Sequence, residues 1–118
     1  MAALSHYPEK GGEGLSEKAE LHAGGSAANT AMVLARFGVD VGLLGRAGTD
    51  PLGEYVFREL ERSGVDLSMV QRDPTAMTGT MFVAVMPDGE RTMFGHRGAN
   101  VHLTSVSLET VACSDLRW

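Results

Sequence analysis

Ala23-Gly24-Gly25-Ser26-Ala27-Ala28-Asn29-Thr30-Ala31 is the stretch on which the reading of this chain turns. Two adjacent glycines let the backbone take positive φ and let a ligand approach without meeting a Cβ. Ser26 stands where an N-cap is expected, and an apolar helical segment follows over residues 27–37. The first turn of a helix leaves unpaired N–H groups, and these suit anionic or hydroxyl-rich groups bound at that end. A tight turn leading into a buried helix would use the same residues, so the loop by itself leaves both readings open.

Downstream, Gly38 is a fitting residue just past the helix end. Residues 27–37 are apolar on nearly every face except at Asn29, Thr30 and Arg36, which predicts burial against a sheet. Residues 39–45 read as a buried strand with Val41, Leu43 and Leu44 as its bulk. Asp50-Pro51 then marks a helix start, an N-cap acceptor followed by proline at the first helical position. Leu52, Val56 and Leu60 recur at helical spacing, Glu54 and Arg58 stand as an i,i+4 pair, and Gly64 closes the helix. Helix, strand, helix is the rhythm of an α/β layer.

From Thr78 the period changes to two. Met81, Val83 and Val85 share one face, and Phe82, Ala84 and Met86 the other. Pro87-Asp88-Gly89 is a turn, and residues 91–96 return as the partner strand. Both faces of the first arm are apolar, so cover on both sides is expected. Residues 1–13 read as a loop or frayed end, and residues 14–22 as a short exposed strand carrying Leu15, Ala19 and Leu21. A further short helix is predicted over residues 105–112 and the beginning of a buried strand over 115–118.

The bulk properties mainly exclude. The 118 residues allow one small domain, and the ordinary balance of apolar and charged residues argues against disorder. A formal net charge of −5 offers no footprint for nucleic acid or an anionic membrane. The single cysteine, Cys113, cannot form an internal disulfide and reads as a small core residue, which points to a reducing cytoplasm. Residues 1–7 lack a basic segment followed by an apolar run, so no secretory signal is expected. His6, His22, His96 and His102 have no metal-ligand spacing.

Taken in order, the loop at residues 23–31, Ala35-Arg36-Phe37-Gly38 and the run from Val41 to Gly53 ending Gly48-Thr49-Asp50-Pro51-Leu52-Gly53 resemble the N-terminal signature of the ribokinase-like (PfkB) carbohydrate kinases. The likeness continues through Glu59-Leu60-Glu61-Arg62-Ser63-Gly64-Val65-Asp66 and Thr78-Gly79-Thr80, and ends at Arg91-Thr92-Met93 and Arg97-Gly98-Ala99-Asn100. It implies an α/β fold: part of a parallel sheet with flanking helices, plus a small β-sheet lid from strands at about residues 14–22 and 79–97. The whole of residues 1–118 would then be an incomplete N-terminal part of a kinase domain. Complete relatives transfer the γ-phosphoryl group of ATP, with Mg²⁺, to a hydroxyl of a sugar, sugar acid or nucleoside.

The resemblance also implies site residues. In such an enzyme the acceptor hydroxyl must be held in line. The glycines and asparagine of the family motif line the sugar site, so Gly24, Gly25, Ser26 and Asn29 are the candidate substrate-binding residues. Backbone amides can meet sugar oxygens, and an amide side chain both donates and accepts. Arg97 joins them as a contact for an anionic substrate, with a surface ion pair as its plain alternative. His96 reads equally as a solvated strand residue, Asn100 as a cap for the following turn, and Asp50 as a helix cap rather than a catalytic acid.

Two family features are missing. No acidic sugar-binding strand is legible in residues 1–7, and the Asp-Thr-x-Gly-Ala-Gly-Asp motif, which supplies the catalytic base and the anion hole, is absent from this sequence. No catalytic residue is therefore assigned, and these 118 residues alone are expected to be inactive. The partners implied are a small sugar or nucleoside and a second copy of the chain through the lid. Two alternatives remain: a truncated, non-catalytic module that binds a small polyol or dimerises, and an unrelated α/β nucleotide-binding module. The second lacks an acidic residue about twenty positions after the glycines.

Overall fold

The computed structural model describes residues 1–105, so the expectations for residues 106–118, Cys113 among them, lie outside the described residues. The chain divides into two compact units, Met1–His22 with Thr80–His96, and Ala23–Gly79 with the residues from Arg97 onward.

The first unit is a four-stranded sheet. β1 is Ala2–Ala3 and β2 is Lys18–Ala19. β5 (Thr80–Val85) and β6 (Arg91–His96) form the expected antiparallel hairpin, with Thr80 opposite His96 and Val85 opposite Arg91. The strand order is β2-β1-β5-β6, β1 lying parallel to β5. The hairpin turn closes through Met86 N–H to Glu90 O at 2.8 Å, and the Asp88 carboxylate accepts from the Glu90 amide at 3.0 Å. This is the three-residue loop that Pro87-Asp88-Gly89 predicts.

Three expectations for this unit are corrected. Residues 1–13 are not all loop, since Ala2 is buried in β1 and the Leu4 amide bonds Val85 O at 2.9 Å. Alanine carries no strand signature, and only its partner on β5 reveals the strand. The strand foreseen over residues 14–22 shrinks to Lys18–Ala19, because β1 offers just two residues to pair with and Leu15 and Leu21 stay exposed. The cover foreseen for both faces of the first hairpin arm is partial: Ala84 is buried and Val83 and Val85 are half-buried, whereas Met81 and Phe82 are more than half exposed, as are Met93 and Phe94 on the second arm.

The second unit is built on a β-α-β step. β3 (Gly45–Gly48) and β4 (Val70–Asp73) are parallel, joined through α2 (Pro51–Arg62). α1 (Ser26–Arg36) precedes them, and a short 3₁₀ turn, Gly98–His102, follows the hairpin. Ala28 and Ala31 of α1 pack with Leu60 of α2 and with Val65, ringed by Met32, Val41, Leu43, Val56 and Leu67. Both helices end in the same double bond: Gly38 N–H to Ala35 O with Val39 N–H to Leu34 O, and Gly64 N–H to Glu61 O with Val65 N–H to Leu60 O. That is the closure the two glycines predict.

Here too the sequence reading shifts. The strand expected over residues 39–45 reduces to a bridge between Gly42 and Asp66, and the ladder proper starts at Gly45. Asp66 accepts from the Ser68 amide and the Val70 amide turns back onto Leu67 O, so the partner chain leaves the ladder between the bridge and β4. α1 is not buried all round, since Val33 is 51% and Leu34 38% exposed, and Phe37 just past its end is exposed as well. Glu54 pairs with Arg72 of β4 instead of Arg58, and the Arg72 guanidinium lies 4.1 Å from the centre of the Phe57 ring.

Candidate functional site

α1 begins at Ser26, with Gly25 as the residue before it at φ +101°. That φ belongs to the region only glycine enters freely, and the first amides of a helix have no partner within it. The reading of Ser26 as the cap is corrected: it lies inside the helix and no side chain caps this end. The first turn is therefore open, and it forms one wall of a cavity of about 300 Å³ in the second unit.

Gly24, Gly25 and Ser26 line this cavity together with Arg46 of β3, and with Thr78, Gly79 and Asn100. Its floor is apolar, from Leu43, Val56, Phe57 and Leu60. Convergent polar groups over an apolar floor are the usual composition of a small-molecule site. Asn29 and Arg97 are not among its lining residues; both are exposed, and Arg97 makes no ion pair among the described residues. Asn100, expected to cap the following turn, instead lies within the Gly98–His102 turn and against Gly79. A Cβ on Gly79 would stand 2.2 Å from Asn100 Nδ2, so this contact requires glycine.

Two carboxylates brace the cavity from behind. Asp73, 2% exposed at the end of β4, accepts from the Ala76 amide at 2.8 Å, the Thr75 amide at 3.0 Å and Arg46 Nε at 2.9 Å. His102 Nδ1 lies 3.1 Å from the same carboxylate. These donors, the Ala76 amide foremost, hold its carboxyl well below the usual carboxylate range. Arg46 also donates from Nη1 to Gln71 Oε1 at 3.0 Å, so its guanidinium is fixed in place.

Asp50 is the helix cap that the sequence predicts, accepting from the Gly53 amide at 2.9 Å. It does more. The Thr78 hydroxyl donates to Asp50 Oδ1, the Thr78 amide donates to Oδ2 at 2.9 Å, and the Gly48 amide donates to Thr78 Oγ1 at 3.0 Å. These bonds lower the Asp50 carboxyl, with the Thr78 hydroxyl as the largest cause. Sequence reasoning missed Arg46, Asp73 and His102 as members of this assembly, and Thr78 stood out there solely as part of a motif.

The donor set does not fit a nucleotide triphosphate with its metal. Among the described residues the cavity wall carries one cation, Arg46, which is engaged by Asp73 and Gln71, and no group of three His, Cys, Asp or Glu side chains could hold a metal ion. No described helix is long and apolar enough to cross a membrane.

The comparisons with known proteins agree with the fold. The pfkB family carbohydrate kinases match this chain over residues 1–117, and the chain belongs to that family. It is 36% identical to an ATP-dependent ribose-1-phosphate kinase of Halopiger xanaduensis across 92% of its own length, and spans 43% of that protein. Among solved structures, a ribokinase from Cryptococcus neoformans var. grubii in complex with ADP aligns with TM-score 0.80 and 32% identity, over 97% of this chain and 35% of that one. An Arabidopsis thaliana ribokinase complexed with ribose and ATP aligns with TM-score 0.77 and 27% identity, over 84% and 32%. The chain thus spans less than half the length of each. The fold is ribokinase-like, as the motifs imply.

Proposed function

We propose that this chain is the acceptor-binding and lid portion of a carbohydrate kinase, one that transfers the ATP γ-phosphoryl group to a hydroxyl of a sugar, sugar acid or nucleoside. The observation that carries the reading is the uncapped start of α1, where Ser26 and the preceding Gly24 and Gly25 line a cavity with an apolar floor. Amides of that turn suit neutral hydroxyls and partial negative charge. The family match and the ribose complex of the Arabidopsis relative support a sugar as occupant.

ATP and Mg²⁺ belong to the complete enzyme in this reading. The catalytic base and phosphate cradle are not among these residues, so the 118-residue chain transfers no phosphate alone. A positioned base by itself supplies about 10²–10⁴-fold in rate. The hairpin of the first unit serves as the lid, and its exposed Met81, Phe82, Met93 and Phe94 meet a second copy. A cytoplasmic setting suits both the metabolic role and the lone Cys113.

The test is a titration of ¹⁵N-labelled chain with D-ribose. The amides of Gly24, Gly25 and Ser26 are expected to shift saturably. Shifts confined to other residues, or none at millimolar sugar, would remove the acceptor-site reading.

A further inference from the structure

We infer that Thr78 is a positioning residue for this cavity, acting through its hydroxyl bridge between Gly48 and Asp50. The inference rests on the acceptor-site reading for its purpose but not for its geometry. Thr78 is 5% exposed and stands where three segments meet: the end of β3, the start of α2 and the foot of the hairpin. Its hydroxyl accepts from the Gly48 amide and donates to Asp50, while its own amide holds the other Asp50 oxygen.

The segments around this bridge pack against one another closely. A Cβ on Gly53 would fall 2.1 Å from Gly48 O, and one on Gly98 2.1 Å from Met77 O. The Ala99 amide completes the crossing with a 2.8 Å bond to Met77 O. Chain leaves the second unit at Gly79 and re-enters it at Arg97, and within that unit the segments on either side of the exit are joined by the Ala99–Met77 bond. Gly79 and Asn100, the residues beside that staple, line the same cavity as Gly24 and Gly25. The Thr78 hydroxyl thereby fixes how far this wall stands from the Gly24-Gly25 amides. A β-branched residue without the hydroxyl fills the same space, yet it leaves the Gly48 amide and Asp50 Oδ1 each short of a partner.

The test compares Thr78→Val, Thr78→Ser and Asp50→Ser by amide hydrogen exchange and by D-ribose affinity. In Thr78→Val, exchange at Gly48 and Ala99 should quicken by about tenfold relative to Leu43, whose amide bonds Asp66 O away from the staple. Ribose affinity should weaken in parallel, and Thr78→Ser should restore both. Unchanged protection at Ala99, or an equal loss at Ala99 and Leu43, would overturn the inference. Should Thr78→Val fail to fold, Asp50→Ser decides, because serine still caps α2 but is too short to reach Thr78. If the unaltered chain binds no ribose, the acceptor-site reading fails by itself, and the exchange data still judge the staple.

Discussion

The Thr78 hydroxyl donates to Asp50 across 28 residues of sequence while receiving the Gly48 amide at 3.0 Å. One side chain thus ties the α2 cap to the end of β3, and Asp50 both caps the helix and holds Thr78. Asp50→Ala removes the cap and the Thr78 bonds together, whereas Asp50→Ser keeps the cap alone. Losing a cap costs about 1 kcal/mol, and an orphaned buried hydroxyl adds about 1–3 kcal/mol. Urea unfolding should therefore rank the proteins unaltered, then serine, then alanine. Equal midpoints for the unaltered chain and the serine variant would show that the Thr78 bonds contribute nothing.

Acid should weaken the second unit in a defined way. Asp73, chiefly through the Ala76 amide, and Asp50, chiefly through the Thr78 hydroxyl, are both held below the ordinary carboxylate value. A carboxyl depressed in the folded state stabilises the fold above its unfolded value of about 3.9, and that contribution is lost as pH falls through the folded value. The urea midpoint is expected to drop below about pH 4. In Asp73→Asn, which starts from a lower midpoint, the drop should be shallower. An identical acid slope in the variant would contradict the assignment.

Two glycines offer a clean contrast. A Cβ at Gly53 meets Gly48 O at 2.1 Å, and Gly53→Ala should unfold the chain or force α2 from its seat. At Gly24 a Cβ meets nothing within 4 Å. Gly24→Ala should leave stability within about 0.5 kcal/mol while reducing D-ribose affinity. Circular dichroism melts and the amide titration read the two effects separately. A Gly24→Ala protein that melts normally and binds ribose normally would separate the loop from the site.

Pairing through the hairpin predicts a concentration-dependent association. Phe94 is 64% exposed on β6 and Phe82, its cross-strand partner, 53%. Sedimentation equilibrium should show dimers of the unaltered chain, and Phe94→Glu should shift them to monomers by burying a charge in the contact. A monomer at every concentration would remove the second copy from the account.

How much of this was legible in the sequence depends on the range of the interaction involved. The Asp50-Pro51 start, the glycine closures at residues 38 and 64 and the Pro87-Asp88-Gly89 turn are local chemistry, and they stand where the residues put them. β1 and β4 escaped because two alanines and the polar run Val70–Asp73 carry no strand periodicity; their partners on β5 and β3 define them. The loop of Gly24, Gly25 and Ser26 was visible, but its wall partners Arg46, Thr78 and Asn100 come together only through tertiary packing. Asn29 and Arg97, chosen from the motif, lie outside the cavity lining.

The most direct test of the central claim is a crystal structure of the chain soaked with D-ribose. The account predicts the sugar in the cavity of the second unit, with hydroxyl oxygens within hydrogen-bond distance of the Gly24 or Gly25 amides and its carbon face toward Phe57 and Leu60. An empty cavity at saturating ribose, or a sugar bound elsewhere, would contradict it.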